Sequence, residues 1–337
     1  MKKSLHRKAI VFSIIALLLA TLFISIFYYD LQSDTGEMTN AALTRSLVLD
    51  YYVRNLDNYA TQSLKIASYH ALDDLARNRS ISGTFFSDEP TFENVFTQCV
   101  QCGYMNCSSR IAPCPHTGGN YTLEWFIENI TTLANENLNI NTTYTVKVNN
   151  ITQTYPFQVD VAATISYLVI DNNGKTFEEK RNYFSWNRTV DITASIQLTG
   201  LLDPFSVINT HGAYNHTIHE TALCMHNSSC WNLATTRQFY DEQGFRAYGN
   251  GTSYLSRFWN SSATSSCCGI ESLLNTTFLM PVNSSYVDNY YWSGRMLCNA
   301  TNNVTTIQID NITSGFLLDD KTASRYNIAA DGVVVCR

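Results

Sequence analysis

An uncharged apolar stretch near the N-terminus constrains the fold of this chain more than any other feature. Residues 9–29 read AIVFSIIALLLATLFISIFYY, 21 residues without a charged side chain. A helix rises about 1.5 Å per residue, so this stretch is long enough to cross the roughly 30 Å hydrocarbon core of a bilayer. The sequence therefore predicts a transmembrane helix over residues 9–29.

The charges on either side of this stretch predict its orientation. All charged residues before it are basic, and Asp30, the first acidic residue, follows it. Basic residues are retained on the cytoplasmic side of a membrane. We therefore predict that residues 1–8 are cytoplasmic and that the chain from residue 30 is extracellular. The alternative is a cleaved signal peptide, which has a shorter apolar region and ends in small residues, whereas three aromatic residues end this stretch.

The charge balance beyond the stretch argues against one class of partner. Residues 9–337 contain 18 basic and 28 acidic residues. A surface with about ten excess negative charges repels the phosphate backbone, so we expect no nucleic-acid partner. Hydrophobic residues make up 45% of the chain, which is enough for a folded core.

Residues 30–83 are predicted to form a long amphipathic helix. It is expected to start near the cap candidates at residues 33–35 and to end at Gly83, because residues 37–82 contain neither Gly nor Pro. The residues predicted for its apolar face are Leu43, Leu47, Tyr51, Leu56, Ala60, Leu64, Ala67, Ala71 and Leu75. Two interpretations stay open: the helix packs on its own domain, or it is a stem that packs against copies of itself.

An alternation of apolar and polar residues predicts an antiparallel β meander within a domain over residues 84–203. Residues 157–169 are apolar at every second position, and residues 190–198 repeat this pattern. Asn-Asn-Gly at residues 172–174 is typical of a hairpin turn. Residues 144–148 indicate an earlier partner strand.

Residues 204–337 lack clear periodicity, and we predict a loop-rich C-terminal lobe held by disulfide bonds. The even number of cysteines is typical of disulfides in an oxidising compartment. The predicted disulfide cysteines are Cys99, Cys102, Cys107, Cys114, Cys224, Cys230, Cys267, Cys268, Cys298 and Cys336. Cys224 and Cys230 can close a small loop. Cys267 and Cys268 are expected to bridge other cysteines, because a bond between adjacent residues strains the peptide between them.

Two clusters contain residues suited to metal binding. The cysteines from Cys99 to Cys114, with His116 beyond them, have ligands suited to zinc, although we expect disulfides there. The second cluster consists of His211, His216, His219, Glu220 and His226. We interpret it as a solvated loop, since His216 follows a glycosylation candidate and is expected to be exposed. We therefore predict no metal site, no cofactor and, in the absence of a known catalytic motif, no catalytic residue.

Asn-x-Ser/Thr triplets, the acceptor sequons of N-glycosylation, are unusually frequent. Sixteen of the 32 asparagines begin one, whereas composition alone predicts about six. The predicted glycosylation sites are Asn78, Asn106, Asn120, Asn129, Asn141, Asn150, Asn187, Asn215, Asn227, Asn250, Asn260, Asn275, Asn283, Asn299, Asn303 and Asn311. An Asn-rich chain that carries no sugar is the alternative.

The N-terminus resembles that of pilin-like subunits, which have a short basic leader, an apolar helix and an amphipathic continuation. Lys8 and Ala9 before Ile10 resemble a prepilin cleavage site. The whole layout is similar to archaeal single-pass surface proteins with such an N-terminus. The segments that carry this resemblance are GLLDPF at 200–205, CGIESL at 268–273, FLLDD at 316–320 and YNI at 326–328. The resemblance implies an anchored surface protein and assigns no functional residue.

The predicted fold is α+β: a transmembrane helix continues into a long amphipathic helix, an antiparallel meander and a disulfide-bonded lobe. The predicted function is that of a membrane-anchored, N-glycosylated extracellular surface protein in pilin-like assembly or adhesion. Its expected partners are the membrane, copies of itself and other surface proteins. A ligand-binding ectodomain is the alternative, and a hydrolase ranks third.

Overall fold

The computed structural model describes most of the chain from residue 37 onwards. The described ranges are 37–106, 111–114, 120–172, 185–224, 228–261, 263–275, 279, 284–292 and 305–336. The predicted anchor at residues 9–29 lies outside them. Within the described ranges no helix combines the length and the apolar character needed to cross a membrane. The chain divides into two compact units, residues 1–55 and 56–337.

A helix of 46 residues, α1 (Glu37–Ser82), opens the described part of the chain. It ends at Gly83, whose φ of +62° and N–H bond to the Arg79 carbonyl at 2.9 Å close the last turn. This confirms the predicted stop. The predicted apolar residues of α1 that belong to the second unit are buried: Leu56, Ala60, Leu64, Ala67, Ala71 and Leu75.

The predicted apolar face is wrong at the start of α1. Leu47 and Tyr51 are 60% and 47% exposed, whereas Leu49 and Val53 are buried. Leu49, Val53 and Leu56 follow one another at spacings of four and three residues, which keeps them on one side of a helix. Tyr51 precedes Leu56 by five residues, so it lies on another side.

Two shorter helices follow, each with a side-chain N-cap. Helix α2 (Glu89–Cys102) starts after Asp88, which accepts the Thr91 N–H at 2.8 Å, and ends at Gly103. Helix α3 (Leu123–Leu138) starts after Thr122, which accepts the Trp125 N–H at 3.1 Å. Between them lie the paired short strands β1 (Tyr104–Asn106) and β2 (Ile111–Pro113).

The predicted meander is confirmed as a three-stranded antiparallel sheet in the order β3-β4-β5. Its strands are β3 (Ile140–Tyr155), β4 (Gln158–Asp171) and β5 (Ser185–Gln197). Every second residue of β4 is buried. Of the predicted turn at 172–174, all but Asn172 lies outside the described residues.

The buried face of this sheet packs on the helices. The Tyr167 hydroxyl donates to Asp57 of α1 at 2.5 Å, and Arg188 pairs with the same carboxylate at 2.9 Å. The rings of Tyr59 and Phe126 join α1 to α3 at a centroid distance of 6.3 Å. Residues 56–82 of α1 are therefore packed on their own domain, the first of the two interpretations.

The elements after residue 203 are short. The helices are α4 (Pro204–Asn209), α5 (Leu233–Glu242), α6 (Asp288–Trp292) and α7 (Asp320–Arg325), and the strands are β6 (Arg246–Ser253), β7 (Gly269–Glu271), β8 (Thr306–Gln308), β9 (Leu317–Asp319) and β10 (Val333–Cys336). Strands β6 and β7 pair with each other, and the others form a sheet in the order β10-β8-β9. Aromatic side chains such as Trp231, Phe239 and Phe316 fill the core between them. The α+β class with antiparallel sheets is confirmed.

Candidate functional site

The outward face of the β3-β4-β5 sheet is a ladder of polar side chains. Thr164 of β4 donates to the Asp191 carboxylate of β5 at 2.6 Å. Two register positions on, the hydroxyls of Ser166 and Thr189 lie 2.8 Å apart. Cross-strand polar pairs of this kind each stabilise a sheet by about 0.2–1 kcal/mol. The sheet thus has one face packed on helices and one mostly polar face directed away from them.

Three sequon asparagines lie on this outward face. Asn141 and Asn150 belong to β3 and Asn187 belongs to β5, and all three are exposed. Strand pairing brings Asn187 onto the same surface as the other two, although it is distant from them in sequence. The sequence pattern predicted these sites individually, and the register of the sheet groups them.

The remaining described sequons also face solvent to some degree. Exposed asparagines elsewhere are Asn120, Asn215, Asn250, Asn260 and Asn311, and half-buried ones are Asn78, Asn129 and Asn275. Among the sequon asparagines whose side chains the structure describes, none is buried. Asn227, Asn283, Asn299 and Asn303 lie outside the described residues, as does the side chain of Asn106.

Disulfide bonding is confirmed for seven of the ten predicted cysteines, whereas Cys107, Cys298 and the side chain of Cys336 lie outside the described residues. Cys99 at the end of α2 is bonded to Cys114 after β2, and both are buried. Cys102 is disulfide-bonded too. Cys224 and Cys230 close the small loop that the sequence predicted. In the part of the chain that the structure describes, no cysteine is free.

The expectation for Cys267 and Cys268 is wrong, because they are bonded to each other. Both cysteines lie in a turn at residues 266–268 that leads directly into β7. The side chain of Gln153 holds this turn against the β3–β4 hairpin: its amide donates to the carbonyls of Cys268 at 3.3 Å and Pro156 at 3.0 Å. Its oxygen accepts the Leu255 N–H at 3.1 Å. The bonded pair is thus part of a fixed turn, with Cys267 exposed and Cys268 buried.

A buried ion cluster joins three segments of the second unit. The guanidinium of Arg257 lies 3.1 Å from an Asp203 oxygen and 2.7 Å from an Asp288 oxygen, and all three side chains are fully buried. Arg257 also donates to the Ile270 carbonyl at 2.9 Å. Asp203 caps α4, and its Oδ2 accepts the Ser206 hydroxyl at 2.6 Å. Burial raises the pKa of Asp288 to about 6; Arg257 opposes this rise, and the neighbouring Asp203 carboxylate adds to it.

A second cluster forms around Glu271 of β7, whose side chain is fully buried. Its carboxylate lies 3.0 Å from Arg246 and 2.7 Å from Arg325, and it accepts the Tyr326 hydroxyl at 2.9 Å. The guanidinium of Arg325 also lies over the ring of Tyr248, 4.0 Å from its centroid. These contacts tie β7 to β6 and α7, and each charge has an opposite partner.

Two acids of these clusters lie in segments that carry the predicted resemblance: Asp203 in 200–205 and Glu271 in 268–273. A third such segment, 316–320, contains Asp319, which belongs to neither cluster. Asp319 accepts the Thr322 N–H at 2.9 Å as the cap of α7 and the Ser285 hydroxyl at 3.2 Å. No signal in the sequence pointed to Arg257, because an arginine in an irregular stretch is ordinarily exposed.

The prediction that His216 is exposed is wrong. Its ring is 4% exposed and stacks between those of Tyr214 and Phe245, at centroid distances of 5.3 and 4.5 Å. Residues 214–218 alternate between buried and exposed, so Asn215 points outward while His216 points inward. Nε2 donates to the Gln243 carbonyl at 2.7 Å. Burial lowers the pKa of His216 to about 4.

The described residues contain no group of three or more His, Cys, Asp or Glu arranged to bind a metal ion. In the first cysteine cluster, Cys99 and Cys114 are joined in a disulfide and are not available as zinc thiolates. In the histidine stretch, His219 is half-buried with its ring between the Thr217 and Glu242 carbonyls. His116 and His226 lie outside the described residues.

Comparison with known proteins gives no relative: no family model, no curated protein and no solved structure matches the chain.

Proposed function

We propose that this chain is an N-glycosylated, membrane-anchored extracellular surface protein with a structural or adhesive role. The observation that carries the proposal is the frequency of sequons: 16 of the 32 asparagines begin one, against about six expected from composition. Asparagine is ordinarily exposed, so accessibility alone does not indicate glycosylation. Attachment of sugar does require it, and none of the sequon asparagines with a described side chain is buried.

The disulfides and the polar sheet face agree with this proposal. Disulfides persist in oxidising compartments, where N-glycosylation of exported proteins also takes place. A surface with few charges needs another source of solubility, and attached sugars provide it. The apolar stretch at residues 9–29 supplies the proposed anchor.

The sugar transfer itself needs an external donor, which we take to be a lipid-linked oligosaccharide phosphate. The amide nitrogen of asparagine forms a bond to the anomeric carbon of the sugar. The bond between that carbon and the phosphate oxygen breaks, the lipid phosphate leaves with the electron pair, and the amide loses one proton to a base of the transferase.

An assembly role would use surfaces other than the predicted apolar face from Leu56 to Leu75, which is buried. In the first unit, Leu47 and Tyr51 lie one helical turn apart and are 60% and 47% exposed. Exposed apolar side chains at helical spacing are typical of contacts with another helix. The proposed partner for this surface is a second copy of the chain.

The test is intact-glycopeptide mass spectrometry of the full chain from membranes of a host that glycosylates exported proteins. We expect sugar masses on exposed sequon asparagines such as Asn120, Asn150 and Asn311. Asn149 is the matched control, because it is exposed beside Asn150 and begins no sequon. Unmodified asparagines together with free thiols throughout would overturn the proposal.

A further inference from the structure

Two apolar side chains interrupt the polar outward face of the sheet. Leu168 and Ile170 of β4 lie on the same side as Thr164 and Ser166, and both are half-buried rather than covered. Along the rest of β4 the outward positions are polar or alanine: Gln158, Asp160, Ala162, Thr164 and Ser166. Among the described residues, nothing covers the exposed parts of Leu168 and Ile170 as the helices cover the opposite face.

Both apolar side chains have a sequon asparagine as a direct cross-strand neighbour. Asn187 of β5 pairs with Leu168, and Asn141 of β3 pairs with Ile170. Side chains directly opposite each other in an antiparallel sheet have Cβ atoms about 4.5–5.5 Å apart, and diagonal neighbours are still within reach of a long group. Asn141 and Asn187 therefore lie on the two strands that flank Leu168 and Ile170, one on each side of β4.

We infer that the sugars on Asn141 and Asn187 fold over the sheet and cover Leu168 and Ile170. Each ring of an N-linked glycan has a face of C–H groups, and placing that face on an aliphatic side chain removes apolar surface from water. The sugar hydroxyls then face the neighbouring polar ladder and the solvent. These two glycans act as structural parts of the sheet as well as a soluble coat.

The geometry distinguishes these two sites from the third sequon on the same face. Asn150 is exposed on β3 and pairs with Ala162, whose single methyl group offers a sugar little apolar surface. A glycan on Asn150 shares the strand of Asn141 and the sheet face of both sites, but it has no large aliphatic cross-strand partner. Asn150 is therefore an internal control.

The inference rests on the proposed glycosylation and is tested on the full glycosylated chain. The variants N141Q and N187Q remove the attachment points and keep the amide. Each should lower the thermal midpoint by about 2 °C, while N150Q should leave it nearly unchanged. In the L168T background, N187Q should lose its effect, because the surface that the sugar covers is gone. Glycopeptide mapping of each variant accompanies the melts.

The outcomes separate the two ideas. If no sequon carries sugar, the proposed function fails as well. If other sequons are occupied but Asn141 and Asn187 are bare, only this inference fails. It is also overturned if N187Q lowers the midpoint no more than N150Q, or by the same amount with and without L168T, because the sugar then acts without Leu168.

Discussion

At the scale of single residues, Arg257 and His216 have the most demanding environments. Arg257 has no solvent exposure, and its guanidinium lies between two carboxylates from distant segments. Removing the guanidinium leaves both buried carboxylates without a cation, which costs about 3–5 kcal/mol. His216, by contrast, is held neutral by burial. Its Nδ1 has no hydrogen-bond partner among the described residues, so a second ring proton would be buried without an acceptor.

The buried histidine makes stability depend on pH. With its pKa lowered to about 4 from the ordinary 6.5, the unfolded chain binds a proton between pH 6.5 and 4 that the folded protein excludes. The free energy of unfolding therefore falls as the pH drops through this window, by about 3 kcal/mol for a shift of this size. Asp288 acts in the opposite direction: its pKa is raised to about 6, so its folded form takes up a proton first and gains stability as the pH falls from 6 to 4.

We predict that H216F removes the histidine contribution and leaves that of Asp288. Relative to wild type, the free energy of unfolding of H216F should rise by about 3 kcal/mol between pH 6.5 and pH 4. Urea unfolding of both proteins at the two pH values measures this difference, and the sequon at Asn215 is retained. H219Q, at a half-buried histidine, is the control. Parallel pH curves for wild type and H216F would contradict the argument.

At the scale of elements, the disulfides differ in what they constrain. Cys99 and Cys114 join the end of α2 to the residue after β2 and close a loop of 15 residues. Cys267 and Cys268 are adjacent, so their bond closes almost no additional chain. A crosslink stabilises mainly by restricting the unfolded chain, and a loop of about 15 residues corresponds to about 3 kcal/mol.

We predict that C99A/C114A lowers the free energy of unfolding by about 3 kcal/mol or more, because it also removes two buried sulfur atoms. C267A/C268A should cost much less. Urea unfolding of both double variants under non-reducing conditions gives the comparison. Equal losses would mean that the turn held by Gln153 depends on its disulfide as strongly as α2 depends on Cys99.

At the scale of the whole molecule, the surface combines low charge, exposed sequons and a few apolar side chains. The described surface has its large exposed apolar side chains in several places, among them Leu47 and Tyr51 on α1 and Val333, Val334 and Val335 on β10. In the proposed self-association, Leu47 and Tyr51 contact a second copy of the chain.

We predict that L47E/Y51E reduces self-association of the full chain in membranes. Charged side chains in an apolar helix contact are desolvated without a partner, so the contact should weaken. Chemical crosslinking followed by gel analysis measures the fraction of dimers and larger species. N58E/Q62E, two exposed polar positions further along α1, is the matched control. A dimer fraction unchanged by L47E/Y51E would remove this surface from the proposal.

Several features were predictable because they depend on neighbours along the chain. The alternation in residues 157–169 and 190–198 predicted a sheet with one buried face, and its strands are observed. The absence of Gly and Pro from 37–82, with Gly83 beyond, predicted α1 and its end. The fold class could be predicted because a helix or strand that buries one face has apolar residues at a regular spacing. That spacing can be read from the sequence alone.

Other features required contacts between distant residues. Tertiary structure alone decided that Cys267 bonds to its neighbour, that His216 turns inward beside an exposed sequon, and that Arg257 lies between Asp203 and Asp288. The register of the sheet likewise placed Asn187 next to Leu168. The sequence pattern predicts which side of a strand or helix a residue occupies. Which residue it contacts on that side depends on tertiary packing and on the pairing of buried polar and charged groups.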